Sequence, residues 1–134
     1  MSAQDILDTK KSVIIEYNFF MQVRGNNLSG MCVIEKQPNN TLAGTVISEF
    51  GTKSFDFTIK AGKVKILNLI RPLDHWYIRK ILRKDFTFIL NNICNKGYII
   101  QGKRRISISE SGEIVMENSL YNIMYILTPF TAQQ

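Results

Sequence analysis

The sequence predicts an α+β fold: a curved antiparallel sheet of about eight or nine strands, shaped as a half-open barrel, with one long helix packed on its concave face. Three observations lead there. Apolar and polar residues alternate in successive short runs separated by turns rich in Gly and Asn. A single segment, residues 75–92, switches to helical spacing. Gly30 and Gly44 fall inside strand-like runs, where glycine marks a bulge or a bend, so the sheet is expected to curve.

The elements follow in order. In VIIEYNFFMQVR (13–24) Val13, Ile15, Tyr17, Phe19, Met21 and Val23 share one parity, and the other holds Glu16, Asn18, Gln22 and Arg24. That is a half-buried strand, closed by the turn GNN (25–27). LSGMCVIEKQ (28–37), the turn PNN and TLAGTVISEF (41–50) make the next hairpin. KSFDFTIK (53–60) points Phe55, Phe57 and Ile59 one way, and AG (61–62) returns the chain into KVKILNLIR (63–71). There Val64, Ile66 and Ile70 oppose Lys63 and Lys65, while Leu67 and Leu69 suggest cover on both faces. Pro72 ends the pairing. Asp74 is the expected N-cap, with a staple between Leu73 and Ile78. The helix carries Ile78, Ile81, Leu82, Phe86, Ile89, Leu90 and Ile93 on one face and Arg79, Lys80, Arg83 and Lys84 on another, and Gly97 lies near its C-cap. YIIQG, RRISISE, EIVMEN and LYNIMYIL are four further short strands, with turns at QGKRR and ESGE. Residues 1–12 and 129–134 are expected to fray.

Length and composition suit one domain spanning 1–134, with 45% hydrophobic residues arguing against disorder. The formal charge of +6 favours acidic partners: nucleic acid, anionic lipid or an acidic protein surface. Cys32 and Cys94 match no metal spacing and read as two buried thiols; whether they pair is open. No run of about 18 apolar residues is present for a membrane span, and a signal removed ahead of Met1 stays open.

Catalytic chemistry finds little support. His75 is the single histidine, beside Asp74 and Trp76, with no nucleophile motif near it. The carboxylates, among them Glu49, Asp56, Asp85, Glu110, Glu113 and Glu117, are scattered. Phosphate-cradling glycine motifs are missing. The expectation is a protein that is not an enzyme and uses no metal or cofactor.

Two constellations remain. The first is basic: Arg79, Lys80, Arg83 and Lys84 on the helix, with Lys103, Arg104 and Arg105 further on, fit lipid headgroups or another anionic partner. The plainer reading is the solvated side of an amphipathic helix. The second is an apolar wall. Tyr17, Phe19, Met21, Phe55, Phe57, Val64 and Ile66 would line the inner sheet face, and Ile78, Leu82, Phe86 and Leu90 on the helix would meet it. Either this is a packed core, or a cavity for acyl chains opens there, with Trp76 and Tyr77 at its entrance.

The stretch from LSGMCVIEK through ISEFGTKSFDFTIKAGKVKI to LIRPLDHWYIRKILRKDFTFIL resembles a group of small, uncharacterised bacterial lipoproteins. The shared pattern is L-S-G, then E-F-G-x-K-x-F-D-F, then a helix ending in L-x-x-D-F. It covers residues 17–90. Through its order of elements the chain is more distantly similar to the Lol-type periplasmic lipoprotein carriers and receptors of Gram-negative bacteria. The resemblance implies an exported protein, periplasmic or anchored to the outer membrane through an acylated cysteine outside this sequence. It also implies that a lipid or an acylated protein is held in an apolar half-barrel. It carries over no individual functional residue. Three readings therefore stand: binding of a lipid or acyl group between sheet and helix, a protein-interaction or surface-assembly module with a packed core, and nucleic-acid binding.

Overall fold

The computed structural model describes residues 14–23, 25–93 and 95–130. Among these, nine strands form one sheet: β1 (Ile14–Val23), β2 (Asn26–Gln37), β3 (Thr41–Ser48), β4 (Lys53–Lys60), β5 (Lys63–Leu67), β6 (Gly97–Gln101), β7 (Arg104–Ile108), β8 (Ile114–Asn118) and β9 (Ile123–Pro129). A 3-10 turn (Arg71–Leu73) and one helix, α1 (Trp76–Asn91), lie between β5 and β6. Val13, Arg24 and Cys94 fall outside the described residues.

The strand order is β5-β4-β3-β2-β1-β9-β8-β7-β6, with neighbours antiparallel and no closure into a barrel. Two meanders meet where β1 pairs with β9, from Tyr17↔Pro129 to Val23↔Ile123. Each runs outward to an edge, one ending at β5 and the other starting at β6. Those edge strands are joined by the segment that contains α1, so the connection must cross a face of the sheet. The expected α+β architecture, a curved sheet with one helix, is what the structure shows.

Strand alternation decides which face the helix covers. Tyr17, Phe19 and Met21 of β1 are buried, as are Cys32 and Ile34 of β2, Phe55, Phe57 and Ile59 of β4, and Val64 and Ile66 of β5. Ile81, Leu82, Phe86, Ile89 and Leu90 of α1 are buried in the same core. Phe86 lies at its centre. Its ring centroid is 5.0 Å from that of Phe57, 5.4 Å from Phe55, 5.8 Å from Tyr125 and 6.3 Å from Phe19. These separations suit tilted and edge-to-face ring packing.

The two strand glycines serve different needs. A Cβ on Gly30 would sit 1.8 Å from the Ile47 carbonyl oxygen, beside the register shift between Val46 and Ile47. A Cβ on Gly44 would sit 2.0 Å from Cζ of Phe57, its cross-strand partner. Gly44 thus makes room for a ring, whereas Gly30 stands next to the expected bulge.

Several boundaries differ from expectation. β3 stops at Ser48, and Phe50 stands 86% exposed in the following turn, outside the core. β5 stops at Leu67 because Asn68 turns left-handed (φ 55°), which swings Leu69 into the core. Its burial comes from leaving the strand, and no second layer covers β5. Asp74 does not cap α1: His75 holds the N-cap position and no side chain caps it. Gly97 (φ 123°) opens β6. β9 begins only at Ile123, leaving Leu120 exposed. At the C-terminal end Pro129 stays paired and the Phe130 N–H donates to the Glu16 carbonyl at 2.9 Å, so fraying does not start at 129.

Gly44→Ala is expected to cost about 1–3 kcal/mol in urea denaturation, since the new methyl group must displace the Phe57 ring. Adding Phe57→Leu should make the pair less destabilised than the sum of the two single changes, because both act on one contact.

Candidate functional site

The expected apolar wall is brought together but is not open. Tyr17, Phe19, Met21, Phe55 and Phe57 meet Leu82 and Phe86 with every one of them buried; Ile78 is half-buried at the edge of the cluster. The cavity expected between sheet and helix is filled, because Phe86 projects into the ring cluster and uses the space an acyl chain would need. Trp76, 78% exposed, and Tyr77, 41% exposed, stand outside this core and gate nothing within it.

Space opens instead along the free edge of β5. A groove of about 1290 Å³ runs between the β4–β5 hairpin and the outer flank of α1. Val64, Ile66, Leu67 and Trp76 supply its apolar lining. Lys60, Lys63 and Lys65 come from the hairpin, and Arg79, Lys80 and Arg83 from the helix. Asp74 is the one carboxylate lining it. It is engaged by Arg79, whose Nη2 donates to Asp74 Oδ1 at 3.1 Å while Nη1 donates to the Ile66 carbonyl at 3.2 Å. Arg79 therefore pins the helix to the sheet edge. Lys80 and Arg83 are exposed and form no ion pair with the described residues. Alternation on β5 and the helical period together create this arrangement: Lys63 and Lys65 point away from the core, and Arg79, Lys80 and Arg83 share the helical flank nearest them.

Lys84 does not belong to this patch. It lines a second cleft of about 560 Å³ with Lys103, Arg104 and amide side chains, between the C-terminal half of α1 and the β6–β7 hairpin. The four helical cations expected to act together are thus divided between two clefts: Lys84 follows Lys80 by four residues, about 40° around and one turn further along the axis, where the β6–β7 hairpin rather than the β4–β5 hairpin lies beside the helix. Arg105 lies in neither cleft and pairs with Glu117 across the β7–β8 ladder at 2.6 Å.

Between α1 and the C-terminal strands lies a polar network that the sequence reading passed over. Asp85 is fully buried. Its Oδ1 accepts from Arg104 Nε at 2.8 Å and Asn118 Nδ2 at 2.9 Å, and its Oδ2 accepts from the Tyr125 hydroxyl at 2.5 Å. The signal was present: Asp85 falls four residues after Ile81 and four before Ile89, on the apolar stripe. Burial pushes the Asp85 carboxyl up against the pull of its hydrogen bonds from Tyr125 and Arg104, and the net direction is upward. Burial also raises Tyr125, which keeps its phenol a donor.

Asp56 behaves oppositely. Burial raises it, but hydrogen bonds from Asn68, Thr45 and Lys53 outweigh that and hold it below the usual carboxylate range. It ties the β3–β4 ladder to the left-handed turn that ends β5. His75 stacks on Tyr77 at 5.3 Å. Cys32 is buried and unpaired, its thiol pushed up to about 12 by desolvation, so it is a packing group. Among the described residues no group of three or more His, Cys, Asp or Glu side chains is placed to hold a metal ion, and no helix is long and apolar enough to cross a membrane. Compared with known proteins, the chain matches no family model and no curated sequence.

Asp85→Ala should cost about 3 kcal/mol or more in urea denaturation, because it strands the buried donors of Asn118 and Tyr125 and unpairs the half-buried Arg104; Asp85→Asn, which keeps an acceptor in place, should cost less. The pH dependences have opposite signs. Asp56, with a lowered folded value, stabilises above the ordinary carboxylate pKa and loses that contribution as pH falls through its folded value. Asp56→Asn should therefore be destabilised at about pH 7 and approach wild type at about pH 2–3. Asp85, with a raised folded value, favours the fold at low pH, and its contribution declines as pH rises through that value. A wild-type minus Asp85→Asn stability difference that grows on acidification would match this sign.

Proposed function

We propose that this protein is a non-enzymatic binding protein that takes a lipid or acyl group with an anionic head in the groove between α1 and the β5 edge. The observation that carries the reading is the combination found there: an apolar floor, one exposed indole, and five cations left over after Arg79 is engaged by Asp74. An aliphatic chain would lie along the exposed Trp76 and the half-buried Leu67. The head would meet Lys80 and Arg83 from one side and Lys63 and Lys65 from the other. The resemblance to small bacterial lipoproteins is consistent with such a ligand and would put the protein in the periplasm or at the outer membrane. The site differs from the half-barrel interior that the resemblance implies, because that interior is occupied by Phe86.

The other two readings have less behind them. Strand addition at β5 is discouraged by Lys60, Lys63 and Lys65, since lysines at a sheet edge oppose pairing with another chain. Single-stranded nucleic acid calls for several exposed aromatics along a basic track, and the groove has only Trp76.

Trp76 is the single tryptophan, so its fluorescence reports on the site directly. Vesicles of phosphatidylglycerol should shift its emission to the blue and carry the protein in flotation, while phosphatidylcholine vesicles should do neither. Lys80→Gln with Arg83→Gln should weaken binding by about 2 kcal/mol, roughly thirtyfold, at about 1 kcal/mol per surface cation. An unchanged emission spectrum, or oligonucleotide binding that exceeds vesicle binding, would remove the proposal.

A further inference from the structure

The second cleft carries a different chemistry. Arg104 lies directly across the ladder from Asn118, and both reach the buried Asp85. The carboxylate engages only Nε of Arg104. Nη1 and Nη2 make no hydrogen bond to any described residue, and the side chain is 26% exposed in the cleft. The guanidinium is thus held at Nε by a buried acceptor, and its terminal fork is left without a partner among the described residues. A fork immobilised in this way loses little entropy on taking up an oxyanion. Lys84 from α1 and Lys103 from the β6–β7 turn flank the same space, and neither is in an ion pair with a described residue. Asn91 and Gln101 add exposed amides whose side chains make no hydrogen bond to a described residue. With Asp85 counted, the four charges sum to about +2, which matches a dianion.

We propose that this cleft is a binding site for a small phosphate monoester on a hydroxyl-bearing carrier, such as a sugar phosphate. Arg104 receives two phosphate oxygens on its fork, and Lys84 and Lys103 neutralise the remaining charge. The amides of Asn91 and Gln101 take the hydroxyls. A volume of about 560 Å³ suits a ligand of this size and lies within the range of small-molecule pockets, about 300–1,000 Å³. The site is distinct from the β5 groove, lying further along α1 toward its C-terminal end; Thr87 alone borders both.

The test uses the full chain with glucose 6-phosphate, inorganic phosphate and glucose as probes, read by calorimetry and by thermal shift at constant ionic strength. Glucose 6-phosphate should bind most tightly, inorganic phosphate more weakly and glucose not at all. Lys84→Gln with Lys103→Gln, both exposed and outside the buried network, should leave the unliganded melting temperature unchanged and weaken glucose 6-phosphate by about tenfold or more. Lys80→Gln with Arg83→Gln should leave that affinity intact. Arg104→Lys separates positioning from charge: it keeps a cation for Asp85 but removes the fork, so affinity should fall. No heat or thermal shift with glucose 6-phosphate at about 10 mM, far above the usual range for specific ligands, overturns the proposal. So does an equal loss in both glutamine double variants, which would mean general attraction to a basic surface.

Discussion

Everything else in this molecule is arranged around the seat of Phe86. The chain builds a sheet whose two edge strands are consecutive in sequence, so the segment between them has to span a face. That span becomes a stable layer only if it buries enough apolar surface against strands from both meanders. Phe86 does this with one side chain, touching Phe19 at the sheet centre, Phe55 and Phe57 on one side and Tyr125 on the other. The contact sets demands elsewhere. Phe57 can lie flat enough only because Gly44 opposite it has no Cβ. The helix must also present its apolar stripe at one rotation about its axis, and this rotation decides where every cation on it points.

Two polar anchors hold that rotation. At the N-terminal end Arg79 reaches the Ile66 carbonyl and Asp74; in the middle Asp85 reaches Arg104, Asn118 and Tyr125. The first binds the helix to the edge strand β5, the second to β7, β8 and β9. A buried carboxylate with three donors contributes little net stability relative to replacing the whole network by well-packed apolar groups. It does penalise any slip of the helix, since a shift of one residue would leave all three donors unpaired. The same anchors have a consequence at the surface. Each commits one arginine to structure and leaves the neighbouring lysines and arginines free, so that the flanks of α1 become two separate cationic clefts of different character. One has an apolar floor and an indole. The other has amides and a presented guanidinium fork.

A concave sheet with a helix across it invites the thought of a lipid in between. Here the volumes argue otherwise: the rings close on one another at separations that leave no room for a chain. Binding surface is displaced to the places where the helix and the sheet diverge, at the hairpin beyond β5 and at the turn beyond β6. This displacement is a matter of a single large residue in the middle of the stripe.

Much of this was legible in the chain itself. Alternation in 14–23, 53–60 and 63–66 determined the strands and which of their faces is buried, because a slip by one residue would turn the whole apolar set to solvent. The spacing Ile78, Leu82, Phe86, Ile89 determined the helix and its inward side. Phe55 and Phe57 could be assigned to the inner face of the sheet for the same reason, with core and cavity wall both left open. What the tertiary structure alone decided was everything that depends on distance between elements remote in sequence. Whether Phe86 fills the space above Phe57 depends on how closely α1 approaches β4, and no local pattern encodes that separation. Asp85 looked like one more scattered carboxylate until the β7–β9 strands brought Arg104, Asn118 and Tyr125 to it. Arg79, Lys80, Arg83 and Lys84 read as one basic face along the sequence. In three dimensions Lys84 lies one turn, about 6 Å, beyond Lys80, and that step along the axis carries it from the groove at β5 to the cleft beside β7.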